Sequence, residues 1–244
     1  LAECLLFFGV LAFGQIPQTA PLNPDFVQFH QSGLKAAQVG FGLIPLPVDL
    51  SYLSGQEAPQ EPRSRLMAAS RYDLRLHGKV TPVRDQGPYG TCWAYATFGS
   101  IESFLAPDEN LDFSENNLVN LDGFDYSFYS GGHYFMSMAY LAGWRGPLNE
   151  AEDPYPYPDS SPAGIPARKH VQQMRIIPGK SSPTGNDLIK QAVMNDGAVY
   201  ASYYHNNYYW NPAHNTYNFP GSGWGNHAVT LVGWDDDFDK NKFT

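Results

Sequence analysis

The run Gln86-Gly87-Pro88-Tyr89-Gly90-Thr91-Cys92-Trp93 decides how the rest of the chain is read. A turn rich in Gly and Pro hands over at Cys92 to an apolar stretch, Ala94 to about Leu105, whose spacing predicts a helix. Unpaired N–H groups and the positive end of the helix dipole favour a thiolate over a thiol at such a start. The position therefore predicts a Cys92 pKa below the ~8.5 of a free thiol. Upstream, Gln86 brings an amide whose two N–H donors can face a developing oxyanion. A base is available in Asn226-His227-Ala228-Val229, 135 residues beyond Cys92.

Composition bounds the answer without naming it. The 244 residues hold one large domain or two smaller ones. Apolar residues are 43% and charged residues 16%, which fits a folded chain and not a disordered one. A net charge of −9 argues against nucleic acid and against an anionic membrane surface as partners.

Residues 1–14 are apolar except for Glu3, too short to span a bilayer but the length of a signal-peptide core. They read as a partial signal peptide, so the mature protein is expected to be secreted, periplasmic or at the cell surface, without membrane insertion. Of the two cysteines, Cys4 would leave with that segment and Cys92 would remain as a free thiol. Residues 15–69 read as a leader of few periodic segments. Its apolar island is Gly40–Leu53, where Pro45 and Pro47 forbid a regular helix and favour an extended course. Arg63, Arg65 and Arg71 offer processing points. Residues 70–244 form the body, with helices expected after Ser114, over Tyr134–Ala142 and over Asn186–Asn195. Strands are expected over Ala198–Tyr204, Tyr217–Phe219 and Ala228–Trp234.

Taken together, the Cys92 motif and a His at this distance resemble the papain-like cysteine peptidases, for which a spacing of about 130–150 residues is characteristic. Arg71-Tyr72-Asp73-Leu74-Arg75, Val80-Thr81-Pro82-Val83, Phe113-Ser114-Glu115-Asn116-Asn117-Leu118-Val119 and Asp153-Pro154-Tyr155-Pro156-Tyr157 are similar to further landmarks of that family, in its exported, bacterial-type form. The resemblance implies an α+β, two-lobed fold: a helical lobe with the nucleophile, a β-barrel-like lobe with the His, and a cleft between them. It implies that Cys92, His227 and Gln86 are catalytic, that Trp93 packs behind the nucleophile, and that Gly131, Gly132, Asn226 and Ala228 bind substrate. It also implies a propeptide lying along the cleft.

The chain departs from the family pattern in two places. Tyr89 stands where most relatives have a disulfide cysteine, so packing must replace that bridge. The Asn of an Asn-Ser-Trp-Gly motif, which orients the His, is not present; Asn241 has the wrong neighbours to take the role. The peptidase domain is therefore expected to continue beyond Thr244, with further domains possible there. No cofactor or metal is expected: His205 and His214 lack ligand spacing, and the Asp235–Asp239 turn lacks the central Gly and closing Glu of a calcium loop. The partner is a protein or peptide substrate. Peptide-bond hydrolysis is the leading function, with an acyltransferase or an inactive peptide-binding relative as alternatives.

Overall fold

In the computed structural model, residues 21–36, 40–53, 69–177, 179 and 185–243 are described. The calls on residues 1–14, Arg63 and Arg65 lie outside them. The first element, α1 (Pro24–Ser32), is set by local end signals and not by periodicity, which is why a reading for periodic segments passes over it. Asn23 accepts the Asp25 N–H at 3.0 Å, Pro24 opens the first turn, and Gly33 closes the last in the left-handed region. The chain then turns back on itself: Asn23 N–H donates to Pro47 C=O at 3.1 Å and Asp49 N–H to Pro21 C=O at 3.0 Å. Residues 43–50 form no helix, as Pro45 and Pro47 require.

Helix α2, Cys92–Leu105, starts two residues before the apolar run and ends before Pro107. Three-to-four spacing would bury Ala96, Ser100 or Ile101, and Phe104 on one side; Ala96 is buried and Ile101 packs against the core, but Phe104 is 61% exposed. In the last turn the inward positions belong to Glu102 and Ser103, which serve as hydrogen-bond hubs. Glu102 accepts from Phe113 N–H (2.9 Å) and Thr81 Oγ1 (2.7 Å), while Ser103 donates to Lys79 C=O (2.6 Å) and accepts from Ala198 N–H (2.8 Å). A buried polar side chain is tolerated only with such partners.

Helices α3 (Glu115–Leu121) and α4 (Tyr134–Ala142) pack on α2 around Trp93, Phe98, Phe113, Leu118, Met136 and Tyr140. Ser114 caps α3 as expected, accepting the Asn117 N–H at 2.9 Å. After α5 (Asp187–Asp196) the chain turns to strands. β1 (Arg71–Asp73) pairs antiparallel with β6 (Gly233–Asp235), β2 (Val199–Tyr203) with β5 (His227–Leu231), and β3 (Trp210–Asn211) with β4 (Thr216–Tyr217). The fold is α+β, with α2 packed on β2 and β5, and α5 on β2 and β6. Within the described residues the strands make three separate pairs and no closed barrel. The ladder switches partner at Val232, whose carbonyl accepts from Leu74 N–H at 2.9 Å, so the chain that leaves β5 beside β2 enters β6 beside β1. A second core of Leu74, Val193 and Ala198 lies under this switch. The acidic turn after Trp234 is tied down: Asp235 meets Arg71 at 2.8 Å and Asp236 meets Lys190 at 2.5 Å.

Candidate active site

Cys92 opens α2 at the point where β5 crosses it, and the Ala228 N–H donates to Cys92 Sγ at 3.4 Å. That contact sets the β5 backbone, one residue past His227, against the sulfur. The strand is held by its register with β2, where Tyr203 faces His227 and Ser202 faces Ala228, and by Thr230 packing on Gly99 of α2. Ala228, expected to bind substrate, thus bonds the sulfur through its amide. Trp93 is buried in the main core, as expected.

The loop before Cys92 is fastened from below. Tyr155 OH donates to Gln86 C=O at 2.7 Å and shares a 2.7 Å hydrogen bond with Thr91 Oγ1. The Pro/Tyr segment around Tyr155 therefore braces the nucleophile turn, a role the sequence does not announce. Tyr89 packs among three other aromatic rings. Its ring lies 5.3 Å from Tyr129, 5.4 Å from Phe128 and 6.0 Å from Tyr155. Such offset and edge contacts add about 0.5–1.5 kcal/mol each beyond burial.

Residues 41–44, part of the stretch read as a leader, pair with Gly132 and Asn226. Phe41 and Leu43 N–H groups donate to Asn226 C=O at 3.1 and 3.3 Å. Gly132 N–H donates to Gly42 C=O at 2.9 Å, and Ile44 N–H to Gly132 C=O at 3.1 Å, a bridge of parallel sense. Gly131, at φ 83°, leaves room for Gly42 and Ala36, and a side chain at Gly132 would run into the Trp93 ring. Gly131, Gly132 and Asn226 are thus brought together along one bound strand, the backbone mode of peptide recognition. Gln86 Nε2 donates to Phe41 C=O at 2.7 Å and to Tyr89 C=O at 2.6 Å. The Phe41 carbonyl thus takes one of the two Gln86 amide hydrogens.

This cover reverses the expected titration of Cys92. The thiol is 1% exposed, and burial pushes its pKa up to about 12, against the pull of the Ala228 and Trp93 amides. Burial likewise pushes His227 down to about 4, with His205 adding to the shift, and its Nδ1 is buried without a hydrogen-bond partner. Both shifts favour the neutral form of the two groups. The helix-start argument is correct in sign, but it is outweighed by desolvation.

Sequence reasoning misses two contributors. Phe41 lies with its ring centroid 4.5 Å from that of His227, and His205 stands 5.8 Å from His227. Neither belongs to a motif. Asn241 remains in the C-terminal turn, where its N–H donates to Asp239 Oδ1 at 3.0 Å.

Comparison with known proteins accords with this geometry. Residues 68–243 match the model of the papain family cysteine proteases. Falcipain-3 of Plasmodium falciparum is 32% identical over 167 residues, covering 67% of this chain and 32% of that protein. A viral cathepsin of Heliothis zea nuclear polyhedrosis virus is 40% identical over 86 residues, 34% of this chain and 23% of that protein. Among solved structures, the cysteine protease and lectin-like domains of Cwp84, a surface layer associated protein of Clostridium difficile, superpose with a TM-score of 0.64 at 24% identity, covering 93% of this chain and 50% of that one. Digestive procathepsin L2 of Tenebrio molitor gives a TM-score of 0.61 at 23% identity, covering 82% and 65% of the two chains. At these identities the structures speak for the fold alone, and the chain spans about a third of the length of falcipain-3. With the matched residues spanning both Cys92 and His227, the chain belongs to the papain family of cysteine proteases.

Proposed function

We propose that the chain is a latent precursor of a thiol-dependent peptidase that hydrolyses peptide bonds in proteins or peptides. Residues 15–69 are its inhibitory leader, and residues 70–244 belong to the peptidase domain. The observation that carries this reading is the Phe41 carbonyl, held by the Gln86 amide, while residues 41–44 pair with Gly132 and Asn226.

Once the leader leaves, water reaches the pair and the desolvation that keeps both groups neutral falls away. His227 takes the Cys92 proton, and the thiolate attacks the substrate carbonyl, forming a C–S bond. Gln86 Nε2 and the Cys92 N–H hold the oxyanion in the place now taken by the Phe41 oxygen. Collapse breaks the C–N bond as the imidazolium protonates the departing amine. Water, deprotonated by His227, then hydrolyses the thioester. Gly131, Gly132 and Asn226 hold the substrate backbone, so affinity comes mainly from main-chain bonds.

Arg71 is a poor processing point because its backbone is paired with Asp235 in β1. Cleavage is assigned to the chain before it. Export to the cell surface, periplasm or medium follows from the reading of residues 1–14. Among the described residues, no helix is long and apolar enough to cross a membrane.

The test is peptide hydrolysis by the precursor before and after limited cleavage ahead of Arg71, with Cys92→Ser and His227→Ala as controls. Activity should rise on cleavage and vanish in both variants. Equal activity before and after cleavage excludes the inhibitory leader. Hydrolysis that survives Cys92→Ser excludes the mechanism.

A further inference from the structure

Resting on the peptidase reading, we propose that His205 determines specificity on the leaving-group side of the scissile bond, forming a subsite for an aromatic side chain. The leader shows where that subsite lies. Residues 42–44 are bonded to Gly132, the backbone that receives the acyl side of a substrate, and the Phe41 carbonyl sits at the Gln86 amide. The Phe41 ring lies against His227, the first residue of β5. It comes to rest between two imidazoles, with centroids 4.5 Å from His227 at 35° and 4.7 Å from His205 at 88°.

The His205 ring is fixed from every side that the fold offers. Its Nε2 faces Asn207 Oδ1 at 2.9 Å, and since an amide oxygen only accepts, Nε2 carries the proton. Its Nδ1 then accepts from Tyr203 OH at 2.8 Å. One face stacks on Tyr217 at 5.2 Å and 13°. The backbone is clamped in both directions by Asn226, whose Oδ1 accepts the His205 N–H at 2.6 Å and whose Nδ2 donates to His205 C=O at 2.9 Å.

These bonds choose the ligand. With both ring nitrogens engaged, His205 has no free donor for a carboxylate, and what it offers the cleft is a rigid aromatic surface. The wall behind it, Tyr203 and Tyr217, is aromatic as well. An edge-to-face partner is the chemistry that fits such a surface. His205 is a specificity residue and takes no part in bond making.

The test has two arms. In the first, peptides differing only in the residue after the scissile bond (Phe, Ala or Asp) are compared by kcat/KM on the processed enzyme, with wild type, His205→Ala and His205→Phe. Wild type should favour Phe over Ala by about five- to tenfold, the size of one aromatic pair. His205→Ala should reduce that ratio below about threefold, and His205→Phe, which keeps a ring, should retain it. A ratio near one in wild type, a ratio unchanged in His205→Ala, or a preference for Asp overturns the assignment. The second arm needs no catalysis: iodoacetamide labelling of Cys92 in the full chain carrying Phe41→Ala, His205→Ala or both. Contact between the two rings predicts that the double variant labels more slowly than the product of the single effects; purely multiplicative effects overturn it. If no variant cleaves any peptide, the peptidase reading fails while the labelling arm still decides the subsite.

Discussion

Both amide hydrogens of Gln86 are committed, one to the Tyr89 carbonyl that shapes the nucleophile turn and one to the Phe41 carbonyl of the leader. Gln86→Ala should therefore act on two observables. Turnover of the processed enzyme should fall by about 10²–10³-fold, the usual loss for one oxyanion donor. In the precursor, Cys92 should be alkylated faster because a contact to the leader is gone. A turnover loss under about threefold would make Gln86 structural only. Arg84 supports the site from further back. It pairs with fully buried Glu102 and, at 2.5 Å, with Asp112, while Glu115 lies 3.1 Å away. Arg84→Ala strands Glu102 without its cation, and such a loss costs about 3–5 kcal/mol of stability, readable by urea denaturation. At this scale the sequence reveals the residues whose chemistry is local. Cys92 stands at a helix start, Gln86 just before it, and His227 at a telling distance. Glu102 and His205 were not legible, because their partners lie far along the chain and no pattern links a buried acid to Arg84 or a strand-end imidazole to Phe41.

Among the elements, the aromatic wedge that replaces the family disulfide has a direct consequence. Among the described residues Cys92 is a free cysteine, and Tyr89, Phe128, Tyr129 and Tyr155 hold together the loops that a bridge would join. The melting temperature should be the same with and without dithiothreitol, and Tyr89→Ala should lower stability by about 1–3 kcal/mol, less than for a fully buried ring. A drop in melting temperature on reduction would contradict this. The seat of the leader has its own pH dependence. His227 and His133 are each pushed by burial from 6.5 to about 4, and each has an Nδ1 with no hydrogen-bond partner. A histidine whose pKa is depressed in the closed state contributes stability above its ordinary value and loses it as the pH falls toward the depressed one. Closure should thus weaken between about 6.5 and 4. Hydrogen exchange at the Leu43 and Ile44 amides, corrected for intrinsic rates, should accelerate across that window; protection that stays flat would count against it. The helices were legible from apolar spacing and caps. The reversed burial of Phe104 and Glu102 was not, since only the tertiary partners of Glu102 decide it.

For the whole molecule, α2 and β5 meet at Cys92, and residues 41–44 pair with Gly132 and Asn226. The order of elements follows from the sequence, helices first and strands after, because each pattern is local. That the strands form three pairs switching partner at Val232 depends on Leu74 reaching back to β6, a contact no periodicity encodes. The cover also explains why a cysteine placed for activation is held as a neutral thiol, since burial outweighs the amides that face it. On the proposed reading, latency would be electrostatic as well as steric: a leader in the cleft would also withhold the solvent that a thiolate–imidazolium pair needs. The most direct test is the pH dependence of Cys92 alkylation by iodoacetamide, followed by intact mass in the full precursor and again after the leader is removed. The covered thiol should resist labelling throughout the neutral range, in keeping with a pKa pushed up to about 12. The uncovered thiol should label with a midpoint below the ~8.5 of a free cysteine. A midpoint at or above that value after removal, or equal labelling of the two forms, would contradict the assignment of Cys92 as a nucleophile held latent by its leader.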